Sequence, residues 1–181
     1  MSIRIYGNRA LKTLPGQQTR PTSSRVREAV FNMVRSQLPN SHWLDLCAGS
    51  GAMGAEALCR GAGRVTGIEQ SGPACRVIQQ NWQKFAQPNQ TFQVLRGDVR
   101  QQLRRVSDPV DLAYFDPPYA SGLYTPVLTA LAAHPMMVRA EILVEHSPEH
   151  WTADSVPGLE LLRQKSYGAT QISFFQVADP E

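Results

Sequence analysis

The sequence predicts an α/β fold built on a mostly parallel, open sheet. Short apolar runs at 43–47, 65–68, 92–95, 110–115 and 142–144 read as strands. Helical stretches near 52–61, 72–86, 98–106 and 123–133 lie between them, the alternation of βαβ units. Two further strand-like runs, 159–165 and 170–177, are separated by Tyr167-Gly168 with no helix. These two are expected to form an antiparallel hairpin at the sheet edge.

Ahead of the first strand, residues 1–21 contain Gly7, Pro15, Gly16 and Pro21, which interrupt any helix, so this stretch reads as extended or looped. From Ser23 to about Leu38, the residues Val26, Ala29, Val30, Met33 and Val34 recur at i, i+3, i+4, i+7 and i+8. That is one face of a helix, which Pro39 stops. The expected organisation is a basic N-terminal arm and helix, residues 1–38, followed by one compact unit, 39–181. In an open parallel sheet a ligand belongs beyond the C-terminal ends of the strands.

Apolar residues make up 42% of the 181, enough for a real core in one domain. No apolar run approaches the roughly 18 residues of a membrane span. Residues 1–12 lack the apolar stretch of a secretory signal, so a cytoplasmic protein is expected. Cys47, Cys59 and Cys75 are odd in number and lack CxxC spacing, which speaks against a disulfide framework and against zinc. The net charge of +3 is unevenly placed. Residues 1–35 carry Arg4, Arg9, Lys12, Arg20, Arg25, Arg27 and Arg35 against Glu28 alone, a local +6 that leaves −3 for the remainder. A basic arm on a mildly acidic body points to a polyanionic partner. If all six net charges met phosphates of a single strand, the salt slope of binding would be about −4.

The first strand runs into Asp45-Leu46-Cys47-Ala48-Gly49-Ser50-Gly51-Ala52-Met53-Gly54. Glycines let the backbone turn sharply and approach a ligand, and the next helix offers its N-terminus. Gly49, Gly51 and Gly54 satisfy GxGxxG, a pattern that also fits a dinucleotide. Glu69 ends the second strand, where a carboxylate accepts the ribose hydroxyls of either cofactor. Asp45 tips the balance. Alone it is a turn or cap residue, yet a carboxylate there suits a cationic amino group, which methionine has and a pyrophosphate lacks. Asp98, in Arg96-Gly97-Asp98-Val99 after the third strand, is placed for an adenine amino group. Acids at three successive strand ends favour S-adenosylmethionine, with Asp45, Ala48, Gly49, Gly51, Glu69, Asp98 and Val99 as the cofactor-binding set.

The fourth strand leads into Asp116-Pro117-Pro118-Tyr119. An amine on an aromatic ring is a poor nucleophile because its lone pair is delocalised into that ring. A carboxylate accepting its N–H, helped by a carbonyl that proline holds in place, draws the nitrogen toward sp³ and aims the lone pair. Asp116 and the Pro117 carbonyl fit those roles, and the Pro-Pro step fixes geometry without a competing N–H. Tyr119 is suited to stack on the base. Asp116, Pro117 and Tyr119 are thus the expected catalytic residues, and neither a metal nor a covalent nucleophile is required.

These residues closely resemble the RsmD-type family of small-subunit ribosomal RNA guanine-N2 methyltransferases, over nearly the whole chain. The likeness begins with Arg4-Ile5 and Gly7. It continues through Arg20-Pro21-Thr22-Ser23-Ser24-Arg25-Val26-Arg27-Glu28-Ala29-Val30-Phe31-Asn32, the glycine loop and the tetrapeptide, and ends at Lys165-Ser166-Tyr167-Gly168. The Arg20–Asn32 stretch is what makes it specific. The resemblance implies a Rossmann-like class I methyltransferase fold: seven strands, mostly parallel, the last antiparallel. It also implies methylation of a guanine N2 in 16S rRNA, on assembled or partly assembled small subunit, with Arg20, Thr22 and Arg25 near the site against RNA or the cofactor loop. Two departures stand out. Residues 8–13 carry less glycine and lysine than is usual, and Cys47 stands where an aromatic is frequent.

Other features argue for less. His146 and His150 are four apart, but Pro148 between them and the lack of a third ligand make a poor metal site. Arg104 and Arg105 close a helix, where cations suit the dipole. Met136-Met137 reads as packing. Ser50 lacks the GxSxG spacing of a hydrolase elbow. The rival functions are an adenine-N6 DNA methyltransferase using the same tetrapeptide, glutamine methylation of a protein, and a noncatalytic RNA-binding assembly factor. The first lacks room for a target-recognition domain, the second normally begins its tetrapeptide with Asn, and the third predicts losses in the loop or tetrapeptide that the sequence does not have.

Overall fold

The computed structural model describes residues 3–14, 23–154 and 156–178. Two strands, β1 (Ile3–Ile5) and β2 (Arg9–Leu11), form a small antiparallel ladder of their own. The main sheet holds β3 (His42–Leu46), β4 (Arg64–Glu69), β5 (Thr91–Arg96), β6 (Leu112–Phe115), β7 (Glu141–His146), β8 (Leu159–Tyr167) and β9 (Thr170–Val177). Their spatial order is β5-β4-β3-β6-β7-β9-β8. The first five in that order are parallel, and β9 lies antiparallel between β7 and β8. The seven-stranded sheet with its antiparallel last strand is as the sequence predicts. The hairpin turn is one residue later than expected, at Gly168-Ala169, with Gly168 at φ 64°.

Helices cover both faces: α1 (Ser24–Met33), α2 (Ala52–Cys59) and α3 (Gly72–Phe85) on one, α4 (Val99–Gln102) and α5 (Tyr124–Ala132) on the other. This explains why β3 is buried at all five positions, with Trp43 in one apolar cluster and Leu44 and Leu46 in the other. Ser23 caps α1 by accepting the Val26 N–H at 3.2 Å. The helix ends at Met33, short of Leu38, and Val34 and Leu38 are buried from the turns that follow. Apolar period thus marks which residues face the core, while the backbone has already left the helix to enter β3. The 98–106 stretch is likewise one α turn, α4, then a 3-10 turn over Leu103–Arg105.

The N-terminal stretch is extended, as the sequence suggests, and packs as a hairpin onto the core. Ile5 and Leu11 are buried in the same cluster as Phe31 and Trp43. Buried Asn81 on α3 clamps the end of the hairpin, accepting the Lys12 N–H at 3.0 Å and donating to its carbonyl at 2.9 Å. Arg27 is also buried: its guanidinium donates to Glu56 at 3.2 Å and to the Arg4 carbonyl. It therefore leaves the set of surface cations. The remaining residues of the arm, 15–22, lie outside the described residues.

Trp82 of α3 is fully buried, and two glycines make room for it. A Cβ on Gly54 would lie 2.2 Å from its ring, and one on Gly67 2.5 Å. Gly67→Ala must push rigid indole against a closed core, so it should cost about 1–3 kcal/mol of stability in urea unfolding. A loss under about 0.5 kcal/mol, the range of ordinary surface changes, would show that the indole has slack.

Candidate active site

The chain winds from β3 outward to β5, then returns to β6 beside β3, so strand order reverses between β3 and β6. A crevice opens at such a switch point, and here a cleft of about 760 Å³ lies across the C-terminal ends of the strands. Asp45, Glu69, Asp98, Asp116 and Glu145 line it, and no cation does among the described residues.

The glycine loop forms one wall. Cys47, Gly49 and Gly51 all adopt left-handed φ, 61°, 56° and 72°, which carries the chain from β3 over the cleft into α2. Trp82 Nε1 donates to the Gly51 carbonyl at 2.8 Å. A Cβ on Gly51 would come within 2.9 Å of Ile78. Gly54, by contrast, is bare for the sake of Trp82, the helix–sheet packing role of a third glycine, and not for a ligand.

Asp45, 2% exposed, accepts the Gly54 N–H at 3.0 Å at the start of α2. Burial pushes its carboxyl up to about 8, against the pull of that hydrogen bond and with a further push from Glu69. It serves as the cap that its position suggests while still lining the cleft. Glu69 spans the opening: one oxygen accepts Gly49 N–H at 2.9 Å and the other Ser71 N–H at 2.7 Å. Its carboxylate is thereby fixed in orientation, with acceptor capacity left on each oxygen.

Asp98 sits at the lip and is engaged locally. It caps α4 through the Arg100 N–H at 2.9 Å and holds the Arg100 guanidinium at 2.7 Å. The hydrogen bond from Arg100 holds its carboxyl down to about 2. Ala48 and buried Val99 also line the cleft.

At the other end, β6 delivers Asp116, half-buried, followed by buried Pro117, and all four residues of the tetrapeptide line the cleft. The Tyr119 ring meets His150 edge-on at 6.0 Å, and its hydroxyl lies 3.3 Å from Thr170 Oγ1. Burial, with Glu69 and Asp116 next in effect, pushes the Cys47 thiol up to about 12. The thiol stays neutral, so it is no nucleophile. Sequence reasoning missed Glu145, a buried carboxylate in the cleft to which the Tyr114 hydroxyl donates. No motif marks it; only the β6–β7 register brings it to Tyr114.

Of the residues expected on the RNA side, Arg25 is exposed on the first turn of α1 and does not line the cleft, while Arg20 and Thr22 lie outside the described residues. His146 is a satisfied core residue, bonded to the Trp151 carbonyl at 3.1 Å and to Ser173 at 2.8 Å. Among the described residues no helix is long and apolar enough to cross a membrane.

Known proteins share this architecture along its whole length. "Ribosomal RNA small subunit methyltransferase D" of Haemophilus influenzae is 28% identical over 182 residues, covering 95% of this chain and 90% of that protein. The protein of the same name from Escherichia coli K12 is 29% identical over 179 residues, covering 96% and 89%. The solved structure of yhhF from Escherichia coli superposes with a TM-score of 0.83 at 30% identity, covering 98% of both chains. A family model described as "Conserved hypothetical protein 95" matches residues 3–176, and the chain belongs to that family, the RsmD family whose motifs it carries.

Proposed function

We propose that this chain transfers a methyl group from S-adenosylmethionine to the exocyclic N2 of a guanine in 16S rRNA, on assembled or partly assembled small ribosomal subunit. The observation that carries the reading is the meeting of the acid-lined loop and Asp116-Pro117-Pro118-Tyr119 in one cleft at the switch point. The names and 28–29% identity of the relatives support the substrate.

The cleft suits the cofactor in sign and in detail. Burial holds the Asp45 carboxyl up to about 8, and a neighbouring cation, such as an amino group, draws it into its ionised form, which a pyrophosphate would not do. Glu69, oriented by two backbone N–H groups, accepts ribose hydroxyls. Asp98 and Val99 flank the place for adenine, and Ala48, Gly49 and Gly51 form the turn around it. S-adenosylmethionine supplies an activated methyl on a sulfonium, so the protein need only bind, orient and exclude water.

Asp116 accepts an N–H of the guanine amino group, and the Pro117 carbonyl takes the other. That pair localises the nitrogen lone pair and points it into the cleft. Tyr119, held by His150 and Thr170, stacks on the base, a contact worth about 1–3 kcal/mol. A flipped or unpaired guanine is required, since a paired amino group does not reach the site. The body is acidic here, so phosphates are left to the cations outside the cleft.

Two outcomes follow. Asp116→Ala should lower methyl transfer to small subunits by at least about 100-fold, while calorimetric affinity for S-adenosylmethionine stays within about twofold of wild type, since that carboxylate serves the base. Nucleoside mass spectrometry of the product should show N2-methylguanosine; N6-methyladenosine, or transfer retained by the variant, would overturn the reading. The second concerns protons. The Asp45 carboxyl, raised to about 8, holds its proton at neutral pH and must release it to face a cation. Cofactor affinity should therefore climb with pH up to about 8 and level above it, with about one proton released per cofactor at pH 7. Calorimetry in buffers of different ionisation enthalpy counts that proton, and Asp45→Asn should abolish it. Binding without proton release by the wild type would remove Asp45 from the amino group.

A further inference from the structure

A second groove, of about 630 Å³, opens between the N-terminal hairpin and α1, and the methyl-transfer chemistry leaves it unused. Tyr6, Phe31, Asn32, Arg35, Cys59 and Arg60 line it, and among the described residues no acidic side chain does. Arg9 of β2 reaches the Cys59 thiol on its wall. Both Arg9 and Arg35 are exposed and make no ion pair among the described residues.

A layered stack rises through it. Buried Phe31 is the foot; the Arg60 guanidinium lies 5.4 Å over its ring and 4.6 Å over the ring of Tyr6. Arg60 covers one face of Tyr6, yet the residue remains 51% exposed. Glu56 fixes this arrangement from below, accepting Arg60 Nε at 2.7 Å and the Tyr6 backbone N–H at 3.0 Å. Beyond Tyr6, Gly7 and Asn8 turn the chain back with φ of 71° and 59°. The ring is thus held out in a set position, and little entropy remains to be lost when something stacks on it.

We infer that this groove is an RNA subsite outside the catalytic cleft, where a base of the substrate stacks on Tyr6 and its flanking phosphates meet Arg35 and Arg9. The inference rests on the rRNA reading above and extends it to a second point of contact. An exposed ring backed by a guanidinium offers a further stacking layer to any base. Arginine forks match phosphate oxygens. α2 links the two sites: Ala52 and Met53 at its start line the catalytic cleft and Cys59 at its end lines the groove, an axial separation of about 10 Å. That distance is within the footprint of a few nucleotides. Apolar lining without free cations would have suited a protein partner better; here exposed arginines flank a single presented ring.

Steady-state transfer to isolated small subunits by Tyr6→Leu, Tyr6→Phe and Arg35→Ala tests it, with titration onto subunits and onto deproteinised 16S rRNA across a salt series. Tyr6→Leu should raise KM on the order of tenfold, with kcat and S-adenosylmethionine affinity unchanged, and Tyr6→Phe should restore the wild-type KM. Arg35→Ala, an exposed change that leaves the core intact, should lower the salt slope of binding by about one. A wild-type KM in Tyr6→Leu, or an unchanged slope in Arg35→Ala, overturns the inference. Weaker binding to subunits with no change on deproteinised rRNA assigns the groove to a protein and also overturns it. Should the wild-type chain transfer no methyl to the subunit, the reading beneath has failed, and the rRNA titration of Tyr6→Leu against wild type still decides the groove.

Discussion

A single indole organises the half of this molecule that carries the glycine loop. Trp82 crosses from α3 into the space left by Gly54 and Gly67 and donates its N–H to the Gly51 carbonyl. α2, β4 and the glycine loop are therefore indexed to one rigid group. Close packing leaves the loop no second arrangement, because any shift of α2 toward β4 meets the ring. The left-handed backbone at Cys47, Gly49 and Gly51 is strained for the first of these, and a bond to a buried indole is the kind of tie that maintains it. With the loop set, Glu69 finds the Gly49 N–H, and Asp45 finds the Gly54 N–H.

Charge is partitioned as strictly as packing. Five acidic side chains line the catalytic cleft and no cation does among the described residues, a setting hostile to phosphates. Cations lie elsewhere, at Arg25 on α1 and at Arg9 and Arg35 around the second groove. Glu56 is the buried acid on that side, and it is spent internally. Buried between Arg27 and Arg60, it ties α1, α2 and the hairpin together. An RNA surface organised this way would hold the backbone outside and admit only a base to the acidic interior.

Most of the sheet was legible in the sequence because strands buried on both faces read as near-continuous apolar runs, as at 43–47, broken only by Asp45, and at 142–144. The N-terminal hairpin was not. Its strands are three residues each, and only Ile3, Ile5 and Leu11 give it an inward face, too few for a readable period. The glycine loop and tetrapeptide were legible as motifs, and the cleft brings them together. What escaped is what depends on distant partners. Gly54 is explained by Trp82, 28 positions on; Arg27 counts as a surface cation until Glu56 is found beside it; Glu145 is an ordinary strand-end acid until the register sets it by Tyr114. Asp98 is a milder case, since an acid two residues before Arg100 at a helix start is a local pairing open to inspection.

The dependence of the loop on the indole is open to one direct measurement. Trp82→Phe keeps a buried aromatic ring and deletes, with the pyrrole part of the indole, the N–H that reaches Gly51. Calorimetric titration of S-adenosylmethionine into this variant, with circular dichroism confirming the fold, should show affinity weakened by about three- to tenfold, the worth of one buried hydrogen bond. An affinity equal to wild type in a folded Trp82→Phe protein would mean that the loop holds its shape without the indole N–H, and Trp82 would then have no part in setting the cofactor seat.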